Sequence, residues 1–305
     1  VGVTATYLTT KVPNFAAGDF VVVGTYAAAA PYILWDVGSP YLTAPFGLIF
    51  GGLTGVVMYL LVLRPLIKRG SSLVVLMIAT LAIDIIFQGI FQAFVEYMGS
   101  QYGRILVDRG YGSQFYFLAQ LPDFQLFGYS GLLFVAPAAL VLVSVGLYLL
   151  LTKSKFGVAM RAAIENANLA KTVGINVDRI YIVSWFLAGG IAGLAGGLNA
   201  IFTSTPQNTS ALIIIDIFAG SVLGGLASIY GALIGGLIVG AAETYLTAYL
   251  ARVFTVFFGA GVGTEIIDFQ KGFPLAIMIV ILLIAPQGLT AIHWRMVGKR
   301  LGVVK

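Results

Sequence analysis

The chain has 305 residues, 59% of them hydrophobic and 10% charged, where a soluble domain carries about 25% charged residues. It has no cysteine and a single histidine, His293, which excludes disulfides, thiolate metal centres and cysteine nucleophiles. The net charge of +5 would suit nucleic acid, but the basic residues are gathered into three clusters separated by long apolar runs, which is a membrane pattern.

Residues 129–151 and 197–215 carry no charge at all. A hydrocarbon layer about 30 Å thick takes ~20 apolar helical residues. Alternating ten-residue strands, the signature of an outer-membrane barrel, are absent from the sequence. The expected fold is all-α: a polytopic transmembrane helix bundle with broken or re-entrant segments and a helix on the cytoplasmic side.

In chain order, residues 1–12 read as the end of one helix, with the natural N-terminus expected further upstream. "KVPNFAAGDF", residues 11–20, follows. Pro13 disfavours helix at Val12, and Asn14 is suited to capping what comes next. A plain loop and a broken helix facing a substrate cavity both fit this stretch. Eight spans are then expected, over residues 20–35, 42–63, 71–94, 129–151, 180–202, 212–226, 231–250 and 272–289.

Arg64, Lys68 and Arg69 form the first basic cluster. Lys153, Lys155, Arg161, Lys171 and Arg179 form the second, and Arg295, Lys299, Arg300 and Lys305 the third. Basic residues of short loops stay on the cytoplasmic side, so all three clusters and the C-terminus are expected there. Residues 92–128 then form an extracytoplasmic loop rich in Tyr97, Tyr102, Tyr111, Phe115, Tyr116 and Phe117. Such aromatics suit headgroup depth as well as a docking surface. Residues 252–271, with Arg252 and Lys271 against Glu265 and Asp268, form a second outer loop.

Glycines recur every four residues at Gly47, Gly51 and Gly55 and at Gly189, Gly193 and Gly197. The same interval separates Gly220 from Gly224, Gly231 from Gly235 and Gly236 from Gly240. Each stripe is a flat strip on one helix face, best read as close packing within the bundle. "GGLASIYG", residues 224–231, is a turn or a re-entrant break. No Gly-x-x-x-x-Gly-Lys-Ser/Thr loop occurs, so this chain has no P-loop for ATP.

Intramembrane acids mark pathways or hydrogen bonds between helices. Asp84 shares a face with Gln88 and Gln92 at four-residue steps, and Asp216 and Glu243 lie within later spans. Asn14, Asp84, Gln88 and Asp216 are candidates for a polar translocation pathway, with structural hydrogen bonding the equal alternative.

The most polar stretch is "FGVAMRAAIENANLAKTVGINVDRIY", residues 156–181. Residues 156–172 are expected to form one slim helix, with Met160, Ile164 and Ala167 on its apolar face. Arg161 and Glu165 are spaced as an i,i+4 pair, Lys171 suits the last turn, and Gly174 suits the helix end. Such a helix lies in the membrane interface or docks in a groove of another protein.

That stretch, followed by "SWFLAGGIAGLAGGL", resembles the permease subunits of branched-chain amino acid ABC importers, the LivH/LivM group. Gly157, Arg161, Ala162, Asn166, Ala170, Gly174, Ile175 and Asn176 match the family's cytoplasmic loop in order. "NFAAGDF" resembles its Asn-Phe-Ala-His-Gly-Asp/Glu-Phe, with Ala17 in place of His. "RPLIKRGSSLVVLMIATLAI", "GGLASIYGALIGGLIVGAAE" (Ala227 for Gly) and "APQGLTA" (Ala285 for Arg) resemble further segments, so the likeness covers the whole chain and is nearer to LivH.

The resemblance implies one permease domain over residues 1–305, with a coupling loop at 152–179. It implies a prokaryotic cell-membrane complex with a second permease subunit, identical or homologous, and two cytoplasmic ATPases. A substrate-binding protein works outside. ATP and Mg²⁺ are then bound by the ATPases and no cofactor by this chain. Gly157, Arg161, Ala162, Glu165, Asn166, Ala170, Gly174, Ile175 and Asn176 become the coupling residues. Branched-chain amino acids, related small amino acids and amides are the implied substrates. A proton-coupled transporter using Asp84, Asp216 and Glu243, and a passive channel for a urea-like solute, are the rival readings. No catalytic or metal-ligand set is visible, which makes a membrane enzyme the weakest alternative.

Overall fold

The computed structural model describes residues 1–108, 121–203, 205, 209–259, 261, 265–267, 269–285, 288 and 289. The third basic cluster, His293, Arg109, Asp268 and the loop aromatics Tyr111, Phe115, Tyr116 and Phe117 lie outside the described residues.

The fold is helical. α1 (Gly2–Thr10) and α2 (Ala17–Trp35) are separated by the Pro13 segment, and α3 (Pro40–Met58) runs through a π-helical turn, Tyr59–Leu63, into α4 (Arg64–Lys68). α5 covers Leu73–Asp108, β1 and β2 are Gln125–Leu126 and Tyr129–Ser130, and α6 is Leu132–Lys153. α7 (Lys155–Glu165) and α8 (Ala167–Thr172) lead into α9 (Val177–Phe202). α10 (Thr209–Gly224), α11 (Ile229–Phe258) and α12 (Gly272–Ile284) complete the order.

Six helices are long and apolar enough to cross a membrane: α2, α3 with its continuation to Lys68, α5, α6, α9 and α11. The remaining two expected spans are the shorter apolar helices α10 and α12, half-length pieces rather than full crossings. Large apolar side chains on α5 and α6, such as Ile85, Ile86, Val141 and Leu142, face outward, as hydrocarbon contact requires.

The chain forms two compact units, one of residues 4–210 with Gly2, the other of residues 211–305 with Val1 and Val3. In the first, α2, α3 and α9 are packed backbone to backbone. A side chain at Gly193 would fall on the carbonyl of Gly47, and one at Gly55 on the carbonyl of Trp185. Thr25 Oγ1 donates to the Gly196 carbonyl at 2.9 Å across the same seam. α5 closes over this trio with Phe91, Val95 and Met98 against Tyr26 and Ile33, and with Leu76 and Ile83 against Phe20, Tyr59 and Trp185. The second unit uses the same device: Gly220 lies against the backbone of Gly236, and Gly235 against Gly224.

Three local expectations change. α5 continues to Asp108, so the first seventeen residues of the expected loop at 92–128 are helix, followed in the described part by a small antiparallel ribbon pairing Gln125 with Ser130. The apolar run stops near Phe94, but helix-compatible residues do not. Residues 156–172 form two helices, because Asn166 takes an extended conformation and its Oδ1 accepts from the amides of Asn168 and Leu169, capping α8. "GGLASIYG" is a turn with Gly225 at φ +97°, and Ser228 caps α11 by accepting from the Gly231 amide at 3.0 Å.

Candidate functional site

The break between α1 and α2 gathers the first polar group. Lys11 has φ +59°, and α2 begins only at Ala17. Asn14 is not the N-cap, a place taken by Ala16. Its Oδ1 instead accepts from the Ala16 amide at 3.1 Å, which holds the turn that feeds the helix. The Phe15 amide donates to Thr80 Oγ1 on α5 at 3.3 Å. One turn along α5 from Thr80, Asp84 accepts from Gln88 Nε2 at 2.9 Å, as their shared face anticipated.

Asp19, in the first turn of α2, was absent from the sequence candidates. It is wholly buried, neither carboxylate oxygen has a hydrogen-bond partner, and Asp84 and Ser210 are the groups facing it. Asn14 Nδ2 and Ser210 Oγ are likewise buried without partners. Asp19 was quoted within "NFAAGDF", but the stretch was read for its backbone. An acid in a helix that is apolar from Phe20 onward was the available signal.

Asp216 belongs to a different group. Lys271, at the start of α12, donates to Asp216 on α10 and to Glu243 Oε1 on α11 at 2.9 Å. Lys271 is therefore part of a three-residue ion cluster with Asp216 and Glu243, rather than a charge paired within the loop at 252–271. Glu243 is buried, and a lone carboxylate at such depth would be costly, so one lysine placed between two acids relieves most of the charge.

The third group is the polar connection. In α7, Gly157, Met160 and Ala163 are buried, and Gly157 approaches the Leu151 carbonyl so closely that any side chain would collide. Ser154 caps α7 by accepting from the Gly157 amide at 3.1 Å. Arg161 donates to the Leu151 carbonyl instead of pairing with Glu165; no ion pair joins the two among the described residues. The guanidinium satisfies a carbonyl at the end of α6, which an exposed carboxylate on the next turn cannot outbid. In α8 only Ala170 is buried; Leu169 and Val173 stand 63% and 70% exposed beside exposed Glu165, Asn166 and Lys171. Gly174, at φ +86°, ends the pair of helices, Ile175 donates its amide to the Ala170 carbonyl, and Asn176 Oδ1 caps α9 through the Arg179 amide. Ala162 is half-buried within α7.

One residue further on, Asp178 accepts from Arg64 at the start of α4, with Lys68 at 3.7 Å. This link between the first two basic clusters was not among the sequence candidates.

Among the described residues no group of His, Asp or Glu side chains is arranged to hold a metal ion. A multi-pass helical body, with polar groups held inside it and a short amphipathic helix pair between two spans, is the form of a transport permease.

The comparisons agree. Residues 1–282 match the family model for the branched-chain amino acid transport system / permease component, and the chain belongs to that family. It is 44% identical over 295 residues to the probable branched-chain amino acid transport permease protein LivH of Methanocaldococcus jannaschii, covering 97% of this chain and 88% of that one. It is 26% identical over 305 residues to the high-affinity branched-chain amino acid transport system permease protein LivH of Salmonella typhimurium, covering 95% and 89%. A more partial likeness, 30% over 175 residues and 53% of this chain, is to the ribose import permease protein RbsC of Bacillus subtilis. No solved structure matches.

Proposed function

We propose that this chain is the permease subunit of an ATP-driven importer in a prokaryotic cell membrane, carrying branched-chain or related small amino acids or amides. ATP and Mg²⁺ are bound by two separate ATPase subunits on the cytoplasmic side, where the C-terminus also lies. A second permease, identical or homologous, completes the membrane body, and an extracytoplasmic binding protein delivers the substrate.

The observation that carries this reading is the α7–α8 pair. Its inner face is buried on the body of the protein through Gly157, Met160, Ala163 and Ala170, while Leu169 and Val173 project among Glu165, Asn166 and Lys171. A helix that only covered its own bundle would not leave two aliphatic side chains outside. An ATPase groove takes them, and movement of that groove passes through Asn176 and Asp178 into α9. Purification from the native membrane in mild detergent, followed by reconstitution, tests the assignment. An ATPase and a second permease co-purify, and uptake requires ATP. Uptake by this chain alone under a proton gradient, or downhill flux without energy, would replace the reading by one of its rivals.

A further inference from the structure

Asp19 is the least compensated ionisable group among the described residues. Its side chain is 0% exposed and both oxygens lack a donor. Asp84, which faces it, has a donor of its own in Gln88 Nε2 at 2.9 Å. Ser210 Oγ, 1% exposed and unpartnered, stands against the Asp19 carboxyl, and the backbone at Gly18 is pressed on the Ser210 carbonyl. On the same break, Asn14 keeps an unpartnered Nδ2 at 1% exposure.

Two facing carboxyls, one of them stripped of water and of donors, are short of positive charge and of N–H groups. No Lys, Arg or His of this chain supplies either among the hydrogen bonds and ion pairs of the described residues. The Asn14 amide is the complement: a spare donor of the kind a carboxylate accepts.

We infer that Asp19, with Asp84 and Ser210 beside it, receives the α-ammonium group of an amino acid during its passage, and that Asn14 Nδ2 donates to its carboxylate. This deepens the importer reading above and rests on it, by choosing the zwitterionic amino acids over the uncharged amides. An ammonium carries three N–H donors and one positive charge, which is what Asp19 lacks on both counts. A neutral amide offers donors but leaves the charge uncompensated.

The test uses the purified complex in proteoliposomes with its binding protein, and the same complex in detergent for equilibrium binding. The probes are radiolabelled L-leucine and isovaleramide for uptake, with isobutylamine and 4-methylpentanoate as competitors for bound leucine. The wild-type complex takes up leucine and not the amide, and isobutylamine displaces bound leucine better than 4-methylpentanoate does. Asp19→Asn lowers leucine affinity at least tenfold and abolishes displacement by the amine while the complex stays assembled. Asp19→Glu restores part of both. A proton held between Asp19 and Asp84 would also relieve the charge, and it makes the opposite forecast: Asp19→Asn is silent. That result, equal competition by amine and acid, or absence of leucine binding by a complex that transports leucine, overturns the inference. ATP-driven uptake of isovaleramide but not of leucine overturns it while leaving the importer reading intact. Absence of any ATP-driven uptake, with no ATPase bound, ends both.

Discussion

Arg64 gives two hydrogen bonds to a single oxygen of Asp178, from Nη2 at 2.6 Å and from Nε at 3.2 Å. The fork joins the end of the first basic cluster to the residue where the polar connection re-enters a membrane helix. Both side chains are 37% exposed, so the pair's contribution to stability is small, at most about 1 kcal/mol. Its larger consequence is positional. Asp178→Arg is expected to leave the protein folded but to cut ATP-dependent uptake several-fold while ATP hydrolysis continues. The exchange Arg64→Asp with Asp178→Arg recovers most of the uptake. Parallel ATPase and uptake measurements decide it, and a swap no better than the single variant would remove the coupling role. Arg64→Lys recovers little, because a point charge lacks the fork.

Lys271 stands between Asp216 and Glu243, so its removal leaves two acids facing each other with no cation. Lys271→Met is expected to destabilise the protein by ~3 kcal/mol, and Asp216→Asn by clearly less, since the latter leaves one cation against one acid. Thermal unfolding in detergent, followed by size exclusion, orders the two variants. Equal midpoints would contradict the cluster's importance.

The α3–α9 seam allows no methyl group. Gly193→Ala meets the Gly47 carbonyl and the backbone of Gly51, and a cost of about 1–3 kcal/mol is expected. Gly89→Ala on α5 meets nothing within 4 Å and should be neutral or slightly stabilising. The pair of variants separates close packing from a general intolerance of substitution in membrane helices.

Asn166→Ala removes the acceptor for the Asn168 and Leu169 amides and is expected to cost α8 about 1 kcal/mol. Hydrogen exchange over residues 166–173 should rise while α9 stays protected. Deleting residues 162–170 should abolish ATPase coupling, and unchanged coupling would refute the docking role of α7–α8.

Asp123 makes a pH prediction. Burial pushes its carboxyl up, but hydrogen bonds from Ser130, from Tyr41 at 2.6 Å, and from the amides of Leu132 at 2.9 Å and Phe124 outweigh that and hold it below the usual carboxylate range. A depressed folded value contributes stability above the unfolded value, about 3.9, and loses it as pH falls through the folded one. Proteolysis of the 121–131 ribbon should therefore increase below about pH 4 in the wild type. In Asp123→Asn it should be faster at neutral pH and independent of acid.

The membrane spans, the glycine seams and the polar connection were legible in the sequence, because each depends on composition or on spacing along one segment. Asp84 with Gln88 was legible for the same reason. Residues from distant segments were not. Arg64 and Asp178 are 114 positions apart, and Lys271 meets Asp216 and Glu243 from 55 and 28 positions away. Arg161 was paired with Glu165 because spacing sees neighbours on a helix and not the free carbonyl of Leu151 at the end of α6. The split at Asn166 turned on a side chain choosing to cap, in a stretch whose alanines favour continuous helix.

The π-helical turn at Tyr59–Leu63 acts as a phase shifter between two contacts made with the same neighbour. Upstream of it, Gly55 lies against the Trp185 backbone of α9; downstream, Arg64 reaches Asp178 of α9. At about 100° per residue, an uninterrupted α-helix would carry Arg64 about 180° round the axis from Gly55, on the far side from its partner. The wider turn takes up roughly one residue and brings that angle to about 80°. Removing a single residue from it would straighten the helix and leave the glycine seam untouched, yet clock the basic end away from α9, so one peptide unit sets whether both ends of the helix address the same neighbour.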